Sequence, residues 1–185
     1  LPFSLPLFDG RIFESPVARG DVVVFKLPRD NKTDYIKRIV GLPGDSLQVR
    51  KGVLYINNDA VPKALVEKFP YPDGRGNIFQ LQQYEQTLPN GVRHKTLDLI
   101  DGNDLDQTRV YTVPKGYYFA MGDNRDNSID SRVPQTQGGV GLIPAENLVG
   151  RAEVLFFSTN GKAAWWEVWR WPWAIRYSRL FTAIK

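Results

Sequence analysis

A polar loop of eleven residues carries the densest set of chemically active side chains in this chain. The run Gly122–Arg132 (GDNRDNSIDSR) contains one apolar side chain and directly follows an apolar, β-type run at Tyr117–Met121. A segment this polar cannot form core, so it is either a solvated turn or a hydrogen-bonded network that supports a site. The second interpretation makes the loop a candidate support for catalysis.

Lys37 is the candidate general base. On a strand spanning Asp34–Val40 (DYIKRIV), its side chain shares a face with Tyr35 and Ile39. Desolvation between an aromatic and an aliphatic neighbour penalises the ammonium and lowers the pKa, which leaves an amine able to accept a proton. The pattern also fits an exposed or snorkelling lysine, so on these residues alone both interpretations stay open.

Short β-type runs separated by turn residues must position these groups, because sustained helical periodicity is scarce. Asp21–Leu27 (DVVVFKL) is nearly continuous in apolar character, as a strand buried on both faces is. Pro43 and Gly44 predict a type II turn after the lysine strand. Lys51 and Gly52 predict a tight hairpin between strands at Ser46–Arg50 and Val53–Ile56.

The alternation of short β-type runs is interrupted over Ala60–Arg109 by Pro, Gly, Asn and Asp residues. Strong predicted strands resume at Tyr117–Met121 and Val149–Phe157. We therefore predict a mainly β fold of folded antiparallel or barrel-like sheets. Residues 1–59 and 110–185 form its core, and residues 60–109 form a smaller inserted, loop-rich β lobe.

Composition narrows the function classes. With 42% hydrophobic and 24% charged residues the chain is globular, and without cysteine it has no thiolate site or disulfide. A single histidine, His94, excludes a multi-histidine metal site. The net charge of +4 comes from scattered residues, and no stretch approaches the roughly 20 apolar residues that span a bilayer.

All five tryptophans fall in one short segment near the carboxyl end, interleaved with Glu167 and Arg170. Some of them can cap the core. The alternative is a membrane-interface belt lying on the bilayer, since indole combines an apolar body with a polar N–H. The candidate interface residues are Trp165, Trp166, Trp169, Trp171 and Trp173.

Two segments resemble those of one protease family. The loop Gly122–Arg132 resembles the signature box of bacterial type I signal peptidases, which are Ser–Lys proteases, and Asp34–Asp45 (DYIKRIVGLPGD) resembles their lysine box. RGDVVVFK before them and IPAENLVGRAEVLFFS after them fit the same family in order and spacing. The resemblance covers Arg19–Asn57 and Tyr111–Leu180.

The resemblance implies a role for each matching residue. Lys37 would deprotonate a serine nucleophile and later activate the deacylating water, and Ser128 would hydrogen-bond its amine. Two ion pairs would brace the site, one between Asp130 and Arg132 and the other between Asp123 and Arg38. An extended substrate would pair with the strand edge formed by Asp34, Tyr35 and Ile36.

The resemblance also implies the substrates, the cellular location and the partners of the protein. The substrates would be secretory preproteins with small residues at −1 and −3, the A-x-A pattern. The enzyme would sit in the bacterial inner (cytoplasmic) membrane with its catalytic domain on the periplasmic or outer face. Its partners would be signal peptides and membrane lipid, with no nucleic acid, metal or cofactor.

One family element is missing from these residues. The nucleophile box, approximately S-G-S-M-x-P-T, precedes the lysine box, and neither Ser4 nor Ser15 in Leu1–Gly20 matches it. We expect that the amino-terminal anchor and this serine segment have been trimmed and that the chain as given is inactive, because the base has nothing to activate.

Three rival interpretations remain. A non-catalytic module of the same descent could hold export peptides or lipid, and the missing serine motivates it. A Ser-His-Asp triad would use His94, which we expect to be solvated because it stands between basic residues. A nucleic-acid module fits the basic pI of about 9.3 but has no compact basic–aromatic motif.

Overall fold

The computed structural model describes residues 16–72, 77–99, 102–152, 154–155 and 182–183. The prediction of a mainly β fold is confirmed, because fourteen strands and three short 3₁₀ segments account for its regular structure in these ranges. The strands are β1 Val22–Lys26, β2 Asp34–Gly41, β3 Ser46–Arg50, β4 Val53–Ile56, β5 Asp59–Ala60, β6 Lys63–Pro72, β7 Ile78–Thr87, β8 Arg93–Asp98, β9 Tyr111–Thr112, β10 Tyr117–Met121, β11 Ile143–Pro144, β12 Leu148–Arg151, β13 Val154–Leu155 and β14 Thr182–Ala183. The 3₁₀ segments are Asp104–Asp106, Gln135–Gln137 and Ala145–Asn147.

Two antiparallel sheets form the core. One has five strands in the order β11-β10-β2-β1-β12, and the other has four in the order β5-β4-β3-β9. Strand β2 runs between their two apolar clusters, since Ile39 packs in one and Val40 in the other. Burying a side chain of this size contributes roughly 1.5–3 kcal/mol, so the second half of β2 is firmly held. Its first half, from Asp34 to Lys37, extends out of this core.

Both predicted turns of the core are present. Gly44 has φ +93° and the Asp45 N–H donates to the Leu42 carbonyl over 3.0 Å, as a type II turn requires. Lys51 and Gly52 have φ +48° and +69°, the two positive values of a type I′ hairpin. The hairpin sets the register in which β3 pairs with β4.

The segment predicted to be loop-rich contains a regular sheet. Strands β6, β7 and β8 form a three-stranded antiparallel sheet, and β6 and β7 are ten residues long. Pro70 and Pro72 had indicated breaks, but β6 is an edge strand, where a residue without an N–H costs no ladder bond. The many glutamines of β7 concealed the apolar alternation on which strand prediction relies.

No helix in the described part of the chain is long and apolar enough to cross a membrane. The tryptophan segment, residues 165–173, lies outside the described residues. The division into residues 1–59 and 110–185 against residues 60–109 stays a prediction.

Candidate active site

Lys37 lies on the protruding half of β2, at the side of a pocket of about 450 Å³. Tyr35, Ser128 and Ile129 also line this pocket, and Lys37 Nζ is 5.8 Å from the centroid of the Tyr35 ring. The pocket therefore brings one end of the lysine strand together with the middle of the polar loop.

Burial lowers the pKa of Lys37 below its ordinary value of 10.5. The Asp130 carboxylate acts in the opposite direction, Arg132 lowers the pKa further, and Asp123 raises it. Desolvation dominates because the two carboxylates are already engaged by guanidinium groups. The environment thus favours the neutral amine that a general base needs.

Arg38 and Asp123 form a bidentate ion pair behind the lysine strand. Arg38 Nε and Nη2 each donate to one oxygen of the Asp123 carboxylate over 2.9 Å. Arg38 Nη1 donates to the Gly20 carbonyl over 2.8 Å, and the guanidinium is buried. Since Arg38 and Lys37 are adjacent, this pair fixes the backbone from which Lys37 projects.

Asp130 and Arg132 form the second bidentate pair, and it is completely enclosed. Arg132 Nε and Nη2 donate to the two Asp130 oxygens over 2.9 Å, with 0% and 1% of the aspartate and arginine side chains exposed. Asp130 also accepts from the Gly122 N–H over 3.0 Å, while Arg132 Nη2 donates to the Arg125 carbonyl over 2.6 Å. The pair therefore ties both ends of the polar loop together.

Ser128 differs from the expectation in one respect. Its hydroxyl is buried beside the pocket, but Oγ has no hydrogen-bond partner among the described residues, so the predicted bond to Lys37 is not made. The backbone of Gly122 stands close to both groups: an added Cβ there would overlap Ser128 Oγ and lie 3.6 Å from Lys37 Nζ. The hydroxyl and the amine face the same small space without touching.

Gly122→Ala is expected to destabilise the fold by about 1–3 kcal/mol, because the new methyl group would lie 2.5 Å from Ser128 Cβ in a closed part of the structure. Urea unfolding measures the change. Gly150→Ala is the matched control, since an added Cβ at Gly150 meets nothing within 4 Å. Equal stability of the two variants would contradict this account of the loop.

The edge of β2 is open where the sequence predicts substrate pairing. Strand β1 pairs with Asp34 through Arg38 on one side, whereas β10 reaches only Arg38, Ile39 and Gly41 on the other. The Thr33 carbonyl and the Ile39 N–H bond toward β1. By alternation the N–H and C=O groups of Asp34 and Ile36 face the side that no described strand occupies. The Ile36 side chain is 53% exposed.

The expectation of a solvated His94 is wrong. Its flanking residues Arg93 and Lys95 lie on the exposed face of β8, and the alternation of a strand turns His94 to the opposite face, where 4% of it is exposed. Its ring is not part of the Lys37 pocket. The geometry therefore gives the triad hypothesis no support.

Sequence reasoning missed the residues that join the inserted sheet to the polar loop. Arg125 is buried and donates through Nη2 to Gln86 of β7. Asp126 accepts from the Leu99 N–H over 2.6 Å and from Asn103 Nδ2 over 3.0 Å. Only the density of charge in the loop hinted at them, because their partners are about 25 to 40 residues distant in sequence.

Comparison with known proteins gives consistent results. The model of the family described as "Signal peptidase, peptidase S26" matches residues 9–157. "Signal peptidase I" of Rickettsia typhi is 37% identical, with 96% of this chain and 69% of that protein covered. "Signal peptidase I" of Rickettsia canadensis is 39% identical, with 88% of this chain and 60% of that protein covered.

A crystal structure of a signal peptidase I from Enterococcus faecalis aligns with 75% of this chain and 97% of its own, at 24% identity and a TM-score of 0.42. This chain spans between three fifths and seven tenths of the length of the two Rickettsia relatives. The family model alone extends over most of the residues, including the lysine strand and the polar loop. The chain belongs to the signal peptidase family, peptidase S26.

Proposed function

We propose that this protein is a membrane-bound serine endopeptidase that removes signal peptides from secreted preproteins after small residues. The observation that carries the proposal is the placement of Lys37, a partly buried amine between two braced ion pairs and beside an open strand edge. Family membership supports the same reaction class. The catalytic domain would work at the outer face of the bacterial cytoplasmic membrane.

In this mechanism Lys37 Nζ, as the neutral amine, takes the proton of a serine hydroxyl while the serine oxygen attacks the scissile carbonyl. The ammonium then gives its proton to the leaving amine as the peptide C–N bond breaks, leaving an acyl-enzyme. Lys37 next accepts a proton from water as the water oxygen attacks the ester. The ammonium returns this proton to the serine oxygen as the ester C–O bond breaks, which releases the signal peptide with a free carboxylate. Burial favours the amine at the start of each half-reaction.

The two ion pairs are proposed to hold Lys37 in position. Arg38 and Asp123 fix the strand from behind, and Asp130 with Arg132 fixes the loop in front. The nucleophile is expected from the family's serine box, which does not occur in residues 1–185. We therefore propose that this chain by itself does not hydrolyse peptides.

The test is cleavage of a peptide with an A-x-A boundary by the full-length protein in detergent or lipid, with the products identified by mass spectrometry. Replacing the −1 alanine of the peptide with leucine should reduce kcat/KM by about 100-fold or more, because the pocket would have to accept three extra carbons. Binding of both peptides without cleavage would favour the non-catalytic module instead. Cleavage with equal efficiency at either residue would contradict the proposed specificity.

Substrate pairing with the open edge of β2 predicts an alternating effect of backbone N-methylation. Single N-methyl groups along the segment before the scissile bond should lower kcat/KM only where the N–H faces Asp34 or Ile36. Each such position loses a hydrogen bond, worth about 0.5–1.5 kcal/mol, and adds a steric conflict. Unmethylated peptide of the same sequence is the control. An effect that does not alternate would rule out strand addition.

A further inference from the structure

The inner face of β8 presents polar side chains to the catalytic core. His94, Thr96 and Asp98 are buried and alternate with the exposed Arg93 and Lys95 and the half-buried Leu97. The backbone of β8 is joined to the polar loop, because the Leu97 N–H donates to the Asp123 carbonyl and the Arg125 N–H donates to the Leu97 carbonyl, each over 2.8 Å. The inserted sheet thus packs directly against the loop that carries Asp123.

The position of Val92 brings the start of β8 close to Arg38. Val92 is the residue directly before β8 and precedes His94 by two residues. It packs against Gly20 so closely that an added Cβ there would stand 2.7 Å from Val92 Cγ1. The Gly20 carbonyl in turn accepts a hydrogen bond from the Arg38 guanidinium over 2.8 Å.

Charged groups from two elements act on the buried His94 ring. They are Arg38 of β2 and Asp123 and Arg125 of the polar loop, and on its own sheet His94 pairs with the uncharged Gln86. Neither ring nitrogen has a hydrogen-bond partner among the described residues. A neutral imidazole fits between two guanidinium groups, whereas an imidazolium there would be a third cation against a single carboxylate.

Burial lowers the pKa of His94 to about 4, Arg38 and Arg125 act in the same direction, and Asp123 opposes them. The ring is therefore neutral in the folded protein under conditions where an exposed histidine already begins to charge. Protonation would attract the Asp123 carboxylate and repel Arg38. It would thus act on the ion pair that holds the lysine strand.

We propose that His94 is a positioning residue: as a neutral imidazole it fills the contact between the inserted sheet and the Arg38–Asp123 pair, and so fixes the strand that carries Lys37. The catalytic part of this inference rests on the proposed peptidase function. The structural part concerns the folded chain alone, and the two parts can be tested separately.

The structural test is the pH dependence of unfolding, measured with urea on wild type and on His94→Gln. Unfolded histidine binds a proton below about 6.5 and folded His94 only below about 4, so the unfolded state binds more protons between these values. The contribution of His94 to wild-type stability should therefore be lost as the pH drops from about 6.5 to about 4, and His94→Gln should lack this component.

Asp98 requires the comparison to be made as a difference between the two proteins. Burial, together with Asp126 and Asp106, raises the pKa of Asp98 to about 6 against the opposing effect of Lys63. Asp98 binds its proton more tightly in the folded state than in the unfolded state, so its contribution makes the free energy of unfolding rise as the pH drops. This contribution is the same in wild type and His94→Gln, so it cancels in the difference between them. Lys95→Gln, on the exposed face of the same strand, is the control that should keep the wild-type slope.

The catalytic test uses the full-length protein. His94→Arg, which is always charged, should lower kcat roughly tenfold or more at neutral pH with a smaller effect on KM, and the neutral His94→Gln should lower kcat much less. Equal pH slopes of stability in wild type and His94→Gln would overturn the inference, whether or not peptides are cleaved. Absence of Lys37-dependent cleavage with a changed slope would instead overturn only the peptidase function.

Discussion

Replacing Lys37 with methionine is expected to lower kcat/KM of the full-length protein for an A-x-A peptide by about 10³-fold or more, because the variant keeps the apolar stem but has no amine to accept the serine proton. The fold should survive, since methionine fills the same volume beside Tyr35 without the cost of burying a charge. Steady-state kinetics across pH 6 to about 10 measures the effect.

Two further variants separate chemistry from packing. Lys37→Arg keeps a cation that does not deprotonate, and it should be as inactive as Lys37→Met. Lys95→Met removes an exposed lysine whose side chain pairs with Glu67 at 3.7 Å, and it should retain activity. If Lys37→Met kept a tenth or more of the wild-type activity, Lys37 would not be the base.

Asp130→Ala is expected to reduce the free energy of unfolding by about 3–5 kcal/mol, because it leaves the enclosed Arg132 guanidinium without its counter-charge. The change also removes the acceptor of the Gly122 N–H, whose hydrogen bond is 3.0 Å long. Urea unfolding of this chain measures the loss without any need for activity.

Glu67→Gln provides the matched control for a broken ion pair. Glu67 and Lys95 are 58% and 59% exposed, and such pairs contribute about 0–1 kcal/mol. A loss below about 1 kcal/mol for Asp130→Ala would mean that the loop can satisfy Arg132 in another way. In that case the ion pair would not be what braces the site.

The core strands and the position of the site were predictable from local patterns. The apolar run of β1, the Pro43–Gly44 turn and the Lys51–Gly52 hairpin are short-range signals, and each is present in the structure. The loop at residues 122–132 was too polar to be core. Its two ion pairs followed from the family resemblance, and the structure brings both pairs of residues together.

The inserted sheet and its contact with the site were not predictable in the same way. The buried polar face of β8 is difficult to recognise in the sequence, because the charged, exposed residues Arg93 and Lys95 flank His94 and suggest that His94 is solvated too. The backbone of β8 is hydrogen-bonded through Leu97 to Asp123 and Arg125, about thirty residues further along the chain than His94, and no local pattern encodes that contact. No local pattern shows either that Ser128 Oγ lies against the backbone of Gly122 without a hydrogen-bond partner among the described residues.

The most direct test of the central claim, that burial lowers the pKa of Lys37 and so favours its neutral amine, is to titrate its side chain in the folded 185-residue chain. The ¹³Cε resonance of Lys37, assigned by its loss in Lys37→Arg, reports the protonation of the amine. The account predicts a midpoint below the ordinary value of 10.5, and a higher midpoint for the same residue in the urea-unfolded chain. Identical midpoints in the folded and unfolded states would contradict it.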